Sequence, residues 1–382
     1  MSSANHIYFN RPYVTGKEQQ YIQRALDARK LSGDGSFTRQ CQEFFEQKYG
    51  FRKSFLTTSC THALEMAALL LEVQPGDEII MPSYTYVSTA NAFALRGAKI
   101  LFADSCPDHP NIDPKEIEKL LTYGTKAIVL VHYAGMACDI NTVMSLQKLK
   151  DGEAHIVEDA AHSIGATYFG KPLGFIGDFG AMSFHETKNI TSGEGGLLTI
   201  HAPRYYENAE IIREKGTNRK AFFRGETDRY SWVDLGSSYL PSEITAAFLA
   251  AQLESLDEIQ AKRTALWFRY HDNLKSLAAT GRISLPVIPE GASINGHLYY
   301  IICGSLDERT ELMKYLAANE IDAVFHYLSL HSSPYFKEHH DGRKLPNSDK
   351  FMERLLRLPM YYELSMDDVD RVCERIESFY KK

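Results

Sequence analysis

The sequence predicts an α/β protein with a mostly parallel central sheet that helices cover on both faces. Between about residues 54 and 200, short runs of β-branched and apolar residues alternate with segments whose apolar residues recur at helical spacing. Such alternation is typical of parallel strands joined by helices. The strands are predicted at 54–57, 78–81, 99–103, 127–132, 155–158, 181–184 and 196–200, and the helices between them at 61–71, 87–96, 114–121 and 141–150.

The last third of the chain has a different pattern. Residues 240–279, with a break at Pro241, predict one long amphipathic helix whose apolar stripe includes Leu249 and Leu266. Farther on, the pattern predicts a smaller α+β domain, in a chain of 382 residues that has room for two domains. We expect a large domain at 1–250 and a small one at 251–382. The small domain has predicted strands at 298–303 and 323–325 and helices at 308–319 and 367–380.

The composition excludes several classes of protein. The chain is 44% hydrophobic and 24% charged, as in ordinary globular enzymes, and its net charge of −7 argues against a nucleic-acid partner. The six cysteines form no Cys-x-x-Cys pair, so we expect neither a metal site nor a disulfide framework. No apolar run approaches the roughly 18 residues of a membrane span, and residues 1–13 lack a signal-peptide pattern. These features predict a cytoplasmic protein.

Lys188 is the most informative residue. It lies in a short polar turn between an apolar strand and a Gly-rich segment, where partial burial would lower its pKa and free the amine to attack a carbonyl. Asp159 ends another predicted strand and is an acid that could pair with a pyridinium nitrogen, although a helix cap is the alternative. A lysine and an acid of this kind are what pyridoxal 5′-phosphate (PLP) needs from a protein. We therefore predict a PLP site with Lys188 and Asp159 as catalytic residues.

Other candidate contacts with PLP lie at the ends of predicted strands. The segment 57–62 ends a strand and opens a helix, where backbone N–H groups and hydroxyls could hold the phosphate, with an ordinary helix cap as the alternative. Tyr86 could stack on the pyridine ring or simply belong to the core, and His162 could support Asp159 or the ring oxygen or have a structural role. The candidates for cofactor binding are Ser59, Cys60, Thr61, Tyr86, Asp159, His162, Ser183 and Lys188.

Several of these segments resemble the DegT/DnrJ/EryC1/StrS family of sugar aminotransferases, over essentially the whole chain. The resemblance implies the aspartate-aminotransferase fold (fold type I of PLP enzymes), a homodimer with shared active sites, and amino transfer from L-glutamate to a nucleotide-linked keto sugar. It also implies that Lys188 binds PLP covalently, that Asp159 pairs with the pyridine nitrogen, that Tyr86 stacks on the ring, and that Cys60, Thr61 and Ser183 contact the phosphate. The matching segments are 33–35, 58–61, 82–86, 158–162, 183–189 and 193–196.

Further segments resemble the branch of this family that makes dTDP-4-amino-4,6-dideoxygalactose for enterobacterial common antigen. That resemblance implies dTDP-4-keto-6-deoxy-D-glucose as the amino acceptor. A 3-keto dTDP-sugar, a GDP- or UDP-linked 4-keto sugar, and a PLP-binding regulatory protein remain alternatives. Related deoxygenating enzymes carry His at the position of Lys188, which argues against a sugar dehydratase. The matching segments are 213–219, 223–225, 230–232, 236–239, 325–327 and 353–359.

The same segments supply candidate contacts with the sugar nucleotide. Lys215, Arg219 and Arg224 could bind the sugar or its diphosphate, with surface charges as the alternative. His326 and Tyr327 could face the sugar or pack in the core. The chain departs from the family twice: His162 replaces a frequent Gln, and Ser238 replaces a frequent Asn that reaches the cofactor phosphate of the partner subunit. We keep Ser238 as a candidate cofactor contact.

Overall fold

The computed structural model describes residues 6–149 and 154–381, so Lys150, the predicted end of one helix, lies outside the described residues. The predicted strands of the large sheet are all present, with ends that differ from the prediction by two residues at most. The strands are β1 Ser54–Thr57, β2 Glu78–Pro82, β3 Lys99–Ala103, β4 Thr125–Val131, β5 His155–Asp159, β6 Thr167–Tyr168, β7 Lys171–Pro172, β8 Phe179–Ser183, β9 Gly196–Ile200, β10 Tyr299–Ile302 and β11 Leu355–Leu358.

Seven of these strands form one sheet in the order β1-β9-β8-β5-β4-β2-β3. Strands β8, β5, β4, β2 and β3 are parallel to one another, and β9 lies antiparallel between β8 and β1. The predicted α/β class with a mostly parallel sheet is therefore confirmed. Because β1 and the five parallel strands point in one direction, the residues that follow them meet at one edge of the sheet.

Helices cover both faces of the sheet. Successive strand residues point to opposite faces, and since both kinds of position carry apolar side chains, each face packs against its own helices. Phe55 packs with one helix layer and Leu56 with the other, and Val157 and Ile156 divide in the same way. The helices are α1 Glu18–Asp27, α2 Ser36–Tyr49, α3 Cys60–Leu70, α4 Val87–Ala94, α5 Pro114–Leu120, α6 Ile140–Leu149, α7 Tyr206–Arg213, α8 Arg219–Phe223, α9 Glu243–Leu253, α10 Leu256–Ala279, α11 Leu306–Ala318, α12 Pro346–Arg354 and α13 Met366–Tyr380.

The segment predicted as one helix at 240–279 is in fact two helices, α9 and α10, separated at Glu254 and Ser255. The interruption lets α9 pack in the core with α1 and α2 while α10 extends into a second core. Leu256 of α10 belongs to the first of these cores, and Leu266 and Leu274 belong to the second. The predicted domain boundary at residue 250 falls within α9, and α10 contributes to both cores.

The second core is formed mostly by the C-terminal part of the chain. Strands β10 and β11 pair antiparallel, with Tyr300 opposite Arg357. The predicted strand at 323–325 is wrong, since Val324 forms only a single bridge to Arg357. Tyr84 and Tyr133, from loops of the large sheet, are buried in the same core. This core therefore closes over the edge of the sheet at which the predicted site residues meet.

Among the helices of the described residues, none is long and apolar enough to cross a membrane.

Candidate active site

A cavity of about 460 Å³ lies at the carboxyl ends of β1, β5 and β8. In parallel sheets, this edge is where ligands bind. Its opposite wall comes from the C-terminal core and from the N-terminal residues Phe9 and Asn10. The structure thus brings together ten of the predicted site residues, which line the cavity: Ser59, Cys60, Thr61, Tyr86, Asp159, His162, Ser183, Lys188, His326 and Tyr327.

The start of α3 forms one end of the cavity. Ser59 caps the helix by accepting a hydrogen bond from the backbone N–H of His62 (3.1 Å), and the first helical residues, Cys60 and Thr61, line the cavity. The first turn of a helix leaves backbone N–H groups without partners inside the helix, which suits an anion. Gly196 permits this approach, because a Cβ there would lie 2.3 Å from the carbonyl carbon of Ser59 and 2.5 Å from the nitrogen of Cys60.

Asp159 is buried at the end of β5. Its Oδ2 accepts a hydrogen bond from the hydroxyl of Thr89 (2.7 Å), and its Oδ1 accepts one from the backbone N–H of Ala161 (3.2 Å). Burial raises the pKa of the Asp159 carboxyl above its ordinary value, although both hydrogen bonds favour the ionised form. An anion with little access to water is stabilised by a positive group placed against it, such as a protonated ring nitrogen.

Lys188 lies in the turn after β8 and directs its amine into the cavity. Burial, reinforced by the positive charge of Arg357, lowers the pKa of Lys188 from 10.5 to about 8, although Cys60 and Asp159 oppose this change. A substantial fraction of the amine is therefore neutral near physiological pH. A neutral amine is the form that attacks a carbonyl and accepts protons.

Asn189, the residue after Lys188, anchors the turn. Its amide nitrogen donates to Gln260 Oε1 (2.6 Å) and to the backbone oxygen of Asn295 (2.8 Å), so its oxygen accepts from His297 Nδ1 (2.9 Å). These bonds connect the lysine turn to α10 and to the loop before β10. They hold the backbone beside the reactive amine in one place.

His162 and His297 form a stacked pair, with ring centroids 4.2 Å apart. Burial lowers the pKa of both rings well below the ordinary value, so both are neutral. His162 Nδ1 accepts from the backbone N–H of Ala134 (3.3 Å), which leaves the proton on Nε2 to be donated to the hydroxyl of Tyr327 (3.3 Å). His162 therefore links the large sheet to the C-terminal wall of the cavity.

Asn189, His297 and Arg357 were not among the predicted site residues. Asn189 belongs to a segment that resembles the family, and Arg357 belongs to a segment that resembles the narrower branch. His297 had no local signal. Asn189 lies behind the lysine turn, whereas His297 and Arg357 line the cavity itself.

Four predicted contacts do not line the cavity of this chain: Ser238, Lys215, Arg219 and Arg224. Ser238 forms an isolated bridge with Glu214, to which Arg219 also lies close (3.9 Å). Arg224 pairs with carboxylates at 2.8 Å on either side of it in the sequence. All four lie on or beside the exposed segment 217–238. Their assignment as ligand contacts therefore stays a prediction.

A sequence model of the DegT/DnrJ/EryC1/StrS aminotransferase family matches residues 12–377. The chain belongs to this family. The protein is thus a PLP-dependent sugar aminotransferase, as the sequence predicted. A GDP-perosamine synthase from Escherichia coli O157:H7 is 30% identical over 98% of this chain and 99% of its own length. The spore coat polysaccharide biosynthesis protein SpsC of Bacillus subtilis is 29% identical over 99% of this chain and 98% of its own.

Solved structures agree with this assignment. The PLP form of the putative sugar aminotransferase Spr1654 from Streptococcus pneumoniae superposes with a TM-score of 0.90 and is 27% identical, over 98% of this chain and 99% of that one. The cavity suits the same cofactor. The start of α3 presents N–H groups where a phosphate would be held, Asp159 is a buried acid in the same cavity, and Lys188 carries an amine of lowered pKa.

Proposed function

We propose that the protein transfers the amino group of L-glutamate to C4 of dTDP-4-keto-6-deoxy-D-glucose and so makes dTDP-4-amino-4,6-dideoxy-D-galactose. The observation that carries the transaminase chemistry is the partly buried Lys188 amine of lowered pKa that shares one cavity with the buried carboxylate of Asp159. The choice of sugar rests on the segments that resemble the enzyme branch making this amino sugar. Four residues of those segments line the wall opposite the sheet: His326, Tyr327, Arg357 and Leu358.

Bound PLP would supply an aldehyde that takes up an amino nitrogen and a ring that accepts electrons from the neighbouring carbon. Lys188 would hold the cofactor covalently until the donor arrives, and its amine would then remove the proton from the α-carbon of the donor. In the second half of the reaction, the same amine would return a proton at C4 of the sugar. Asp159 would keep a positive charge on the ring nitrogen, with Thr89 and the N–H of Ala161 holding the carboxylate in place.

The other predicted cofactor contacts would fix the position of the ring. Cys60, Thr61 and Ser183 would bind the phosphate, with Ser59 setting the start of the helix that carries two of them. Tyr86 would cover the ring; it is 57% exposed in a single chain, and its ring centroid lies 5.9 Å from that of Tyr327.

We further propose a cytoplasmic homodimer with active sites shared between the subunits. The segment 217–238 exposes large apolar side chains, among them Phe223 (73%) and Trp232 (78%), as expected of a surface that another chain covers. In such a dimer, Ser238, Lys215, Arg219 and Arg224 would act on the ligands of the neighbouring subunit. The cytoplasm is where nucleotide-linked sugars of this kind would meet the enzyme.

A GDP-linked 4-keto sugar is the second candidate acceptor. The relative named GDP-perosamine synthase, 30% identical over almost the full length of both chains, supports it. The choice between dTDP and GDP depends on contacts with the base, which would lie toward the mouth of the cavity rather than at Lys188.

The test is a two-substrate assay on the purified PLP-loaded protein with L-glutamate. Separate reactions contain dTDP-4-keto-6-deoxyglucose or a GDP-linked 4-keto-6-deoxy sugar, and 2-oxoglutarate and the sugar product are followed by mass spectrometry and NMR. We expect 2-oxoglutarate and a dTDP-sugar with an axial C4 amine, and at most a few per cent of this product from Lys188→Ala. Product from the GDP-sugar alone would show that the acceptor is the GDP-linked sugar, and 2-oxoglutarate formation by Lys188→Ala at more than a few per cent of the wild-type rate would contradict the proposed chemistry.

A further inference from the structure

Arg357 is a buried cation that lacks a carboxylate partner. It lies on β11, is 7% exposed and lines the active-site cavity. Its Nη2 has no hydrogen-bond partner among the described residues, and no carboxylate of those residues lies within 4 Å of the guanidinium. A buried, unsatisfied charged donor is costly, so it indicates a missing partner.

The guanidinium is held rigidly. Its Nε donates to the hydroxyl of Tyr133 (3.0 Å), and its central carbon lies 5.3 Å from the ring centre of Tyr133 and 4.9 Å from that of Tyr327. The backbone is fixed as well, because Arg357 pairs with Tyr300 of β10 on one side and exchanges two hydrogen bonds with Val324 on the other. A fork of donors fixed in this way suits a planar carboxylate, which arginine binds through two parallel N–H groups.

The charges around the cavity support an anionic ligand at this point. Lys188 and Arg357 are the only lysine and arginine among the described residues that line it. Lys188 would hold the cofactor until the donor displaces it and would then act as a neutral base, and Asp159 lies at the end of β5, on the sheet side of the cavity. Arg357 is thus the cation left to meet a substrate.

We infer that Arg357 binds the α-carboxylate of the amino donor, an inference that rests on the proposed function. The α-carboxylate is attached to the same carbon as the reacting nitrogen, so it must lie close to Lys188. Arg357 meets this requirement, since it lines the same cavity as Lys188 and packs on Tyr327, whose hydroxyl bonds to His162. The diphosphate of a sugar nucleotide is bonded to C1, across the ring from a C4 carbonyl, so with C4 beside Lys188 it would lie farther from the reacting amine than an α-carboxylate.

The assignment gives the two halves of the reaction different requirements. The donor presents a carboxylate beside the reacting carbon, whereas the keto sugar presents hydroxyls there. Arg357 should therefore be needed for the half-reaction with glutamate and much less for the half-reaction with the sugar. A residue that merely supported the fold would affect both halves alike.

The test compares wild type with Arg357→Gln, Arg357→Lys and the control Arg269→Gln, which removes an exposed arginine paired with Asp370. The PLP-loaded proteins react once with L-glutamate or with 4-aminobutyrate, which lacks the α-carboxylate. The rate of loss of the cofactor absorbance, measured against donor concentration, gives the maximal rate constant and the half-saturating concentration of this half-reaction. A charged hydrogen-bonding pair of this kind corresponds to roughly 10- to 100-fold in binding. We expect Arg357→Gln to raise the half-saturating concentration of L-glutamate by about that factor, with a smaller effect in Arg357→Lys and none in the control.

A second measurement separates the inference from the proposed function. Calorimetry of 2-oxoglutarate binding to the PLP-free and PLP-loaded proteins should show the same loss of affinity in Arg357→Gln, whichever sugar the enzyme accepts. The inference is overturned if Arg357→Gln reacts with L-glutamate within about threefold of wild type, if 4-aminobutyrate is slowed equally, or if only the sugar half-reaction suffers. If no keto sugar is aminated by wild type while the glutamate results hold, only the proposed acceptor fails. Unchanged thermal melting of the variants excludes misfolding.

Discussion

Replacing the active-site lysine should make the cofactor-free protein more stable at neutral pH. Burial lowers the pKa of Lys188 from 10.5 to about 8. Each pKa unit corresponds to about 1.4 kcal/mol, so keeping the amine protonated in the fold costs up to about 3 kcal/mol. Lys188→Met removes the charge and keeps most of the volume. We expect the variant to unfold with a free energy higher than wild type by up to that amount at pH 7.

The pH dependence follows from the direction of the shift. Between about pH 8 and 10.5, the unfolded chain keeps the Lys188 proton that the folded chain has already lost. Stability of wild type relative to the variant should therefore rise through this window, and the difference should be largest below pH 8. The contributions of the other titrating groups to the free energy of unfolding cancel in the comparison, because both proteins share these groups.

The assay is denaturant-induced unfolding of both proteins after removal of PLP, at several pH values from 7 to 10.5, with the exposed Lys337→Met as the control. If Lys188→Met is no more stable than wild type at pH 7, or if the difference does not shrink as the pH rises, the amine is not desolvated as described. Adding PLP should reverse the order, because ligand binding stabilises the protein that binds more tightly.

Three further substitutions test the site. Lys188→Ala should lower turnover by at least about 100-fold, the usual contribution of a general base, while PLP still binds non-covalently; more than a few per cent of wild-type activity would exclude the lysine. Asp159→Asn should remove the charge pair between the carboxylate and the ring nitrogen, a loss of about 3 kcal/mol, and so slow turnover roughly 100-fold. Normal turnover would exclude this role of Asp159. Gly196→Ala places a Cβ 2.3 Å from the carbonyl carbon of Ser59 and should weaken PLP binding in a fluorescence titration, whereas Gly124→Ala, whose nearest neighbour is 3.5 Å away, should not; equal affinities would contradict the close packing at the start of α3.

The large sheet could be predicted from the sequence because its strands are short apolar runs separated by helices of clear periodicity. The cofactor side of the cavity followed from the same pattern, since Asp159 and Lys188 belong to local motifs next to strand ends. Where the prediction failed, the local signal was ambiguous. Residues 240–279 read as one helix because the apolar stripe continues across the break at Glu254 and Ser255.

The residues that were missed depend on tertiary structure. Strand β11 was not predicted, because Arg357 interrupts its apolar run and local pattern does not reveal that a charged side chain is buried between two tyrosines. His297 lies in an irregular segment before β10, and its stacking on His162 joins residues 135 positions apart in the sequence. Contacts of this kind arise only when two cores fold against each other.

The two walls of the cavity carry different sets of functional groups. The sheet side supplies Lys188, Asp159 and the start of α3, the groups proposed to hold the cofactor and to move the proton. The C-terminal side supplies His297, Tyr327 and Arg357. None of the three follows the end of a strand of the large sheet. Because Tyr327 joins His162 and packs on Arg357, the groups proposed to meet the substrate are fixed relative to those proposed to hold the cofactor. Substitutions in the C-terminal wall should therefore change which donor or acceptor is used while leaving the affinity for PLP intact.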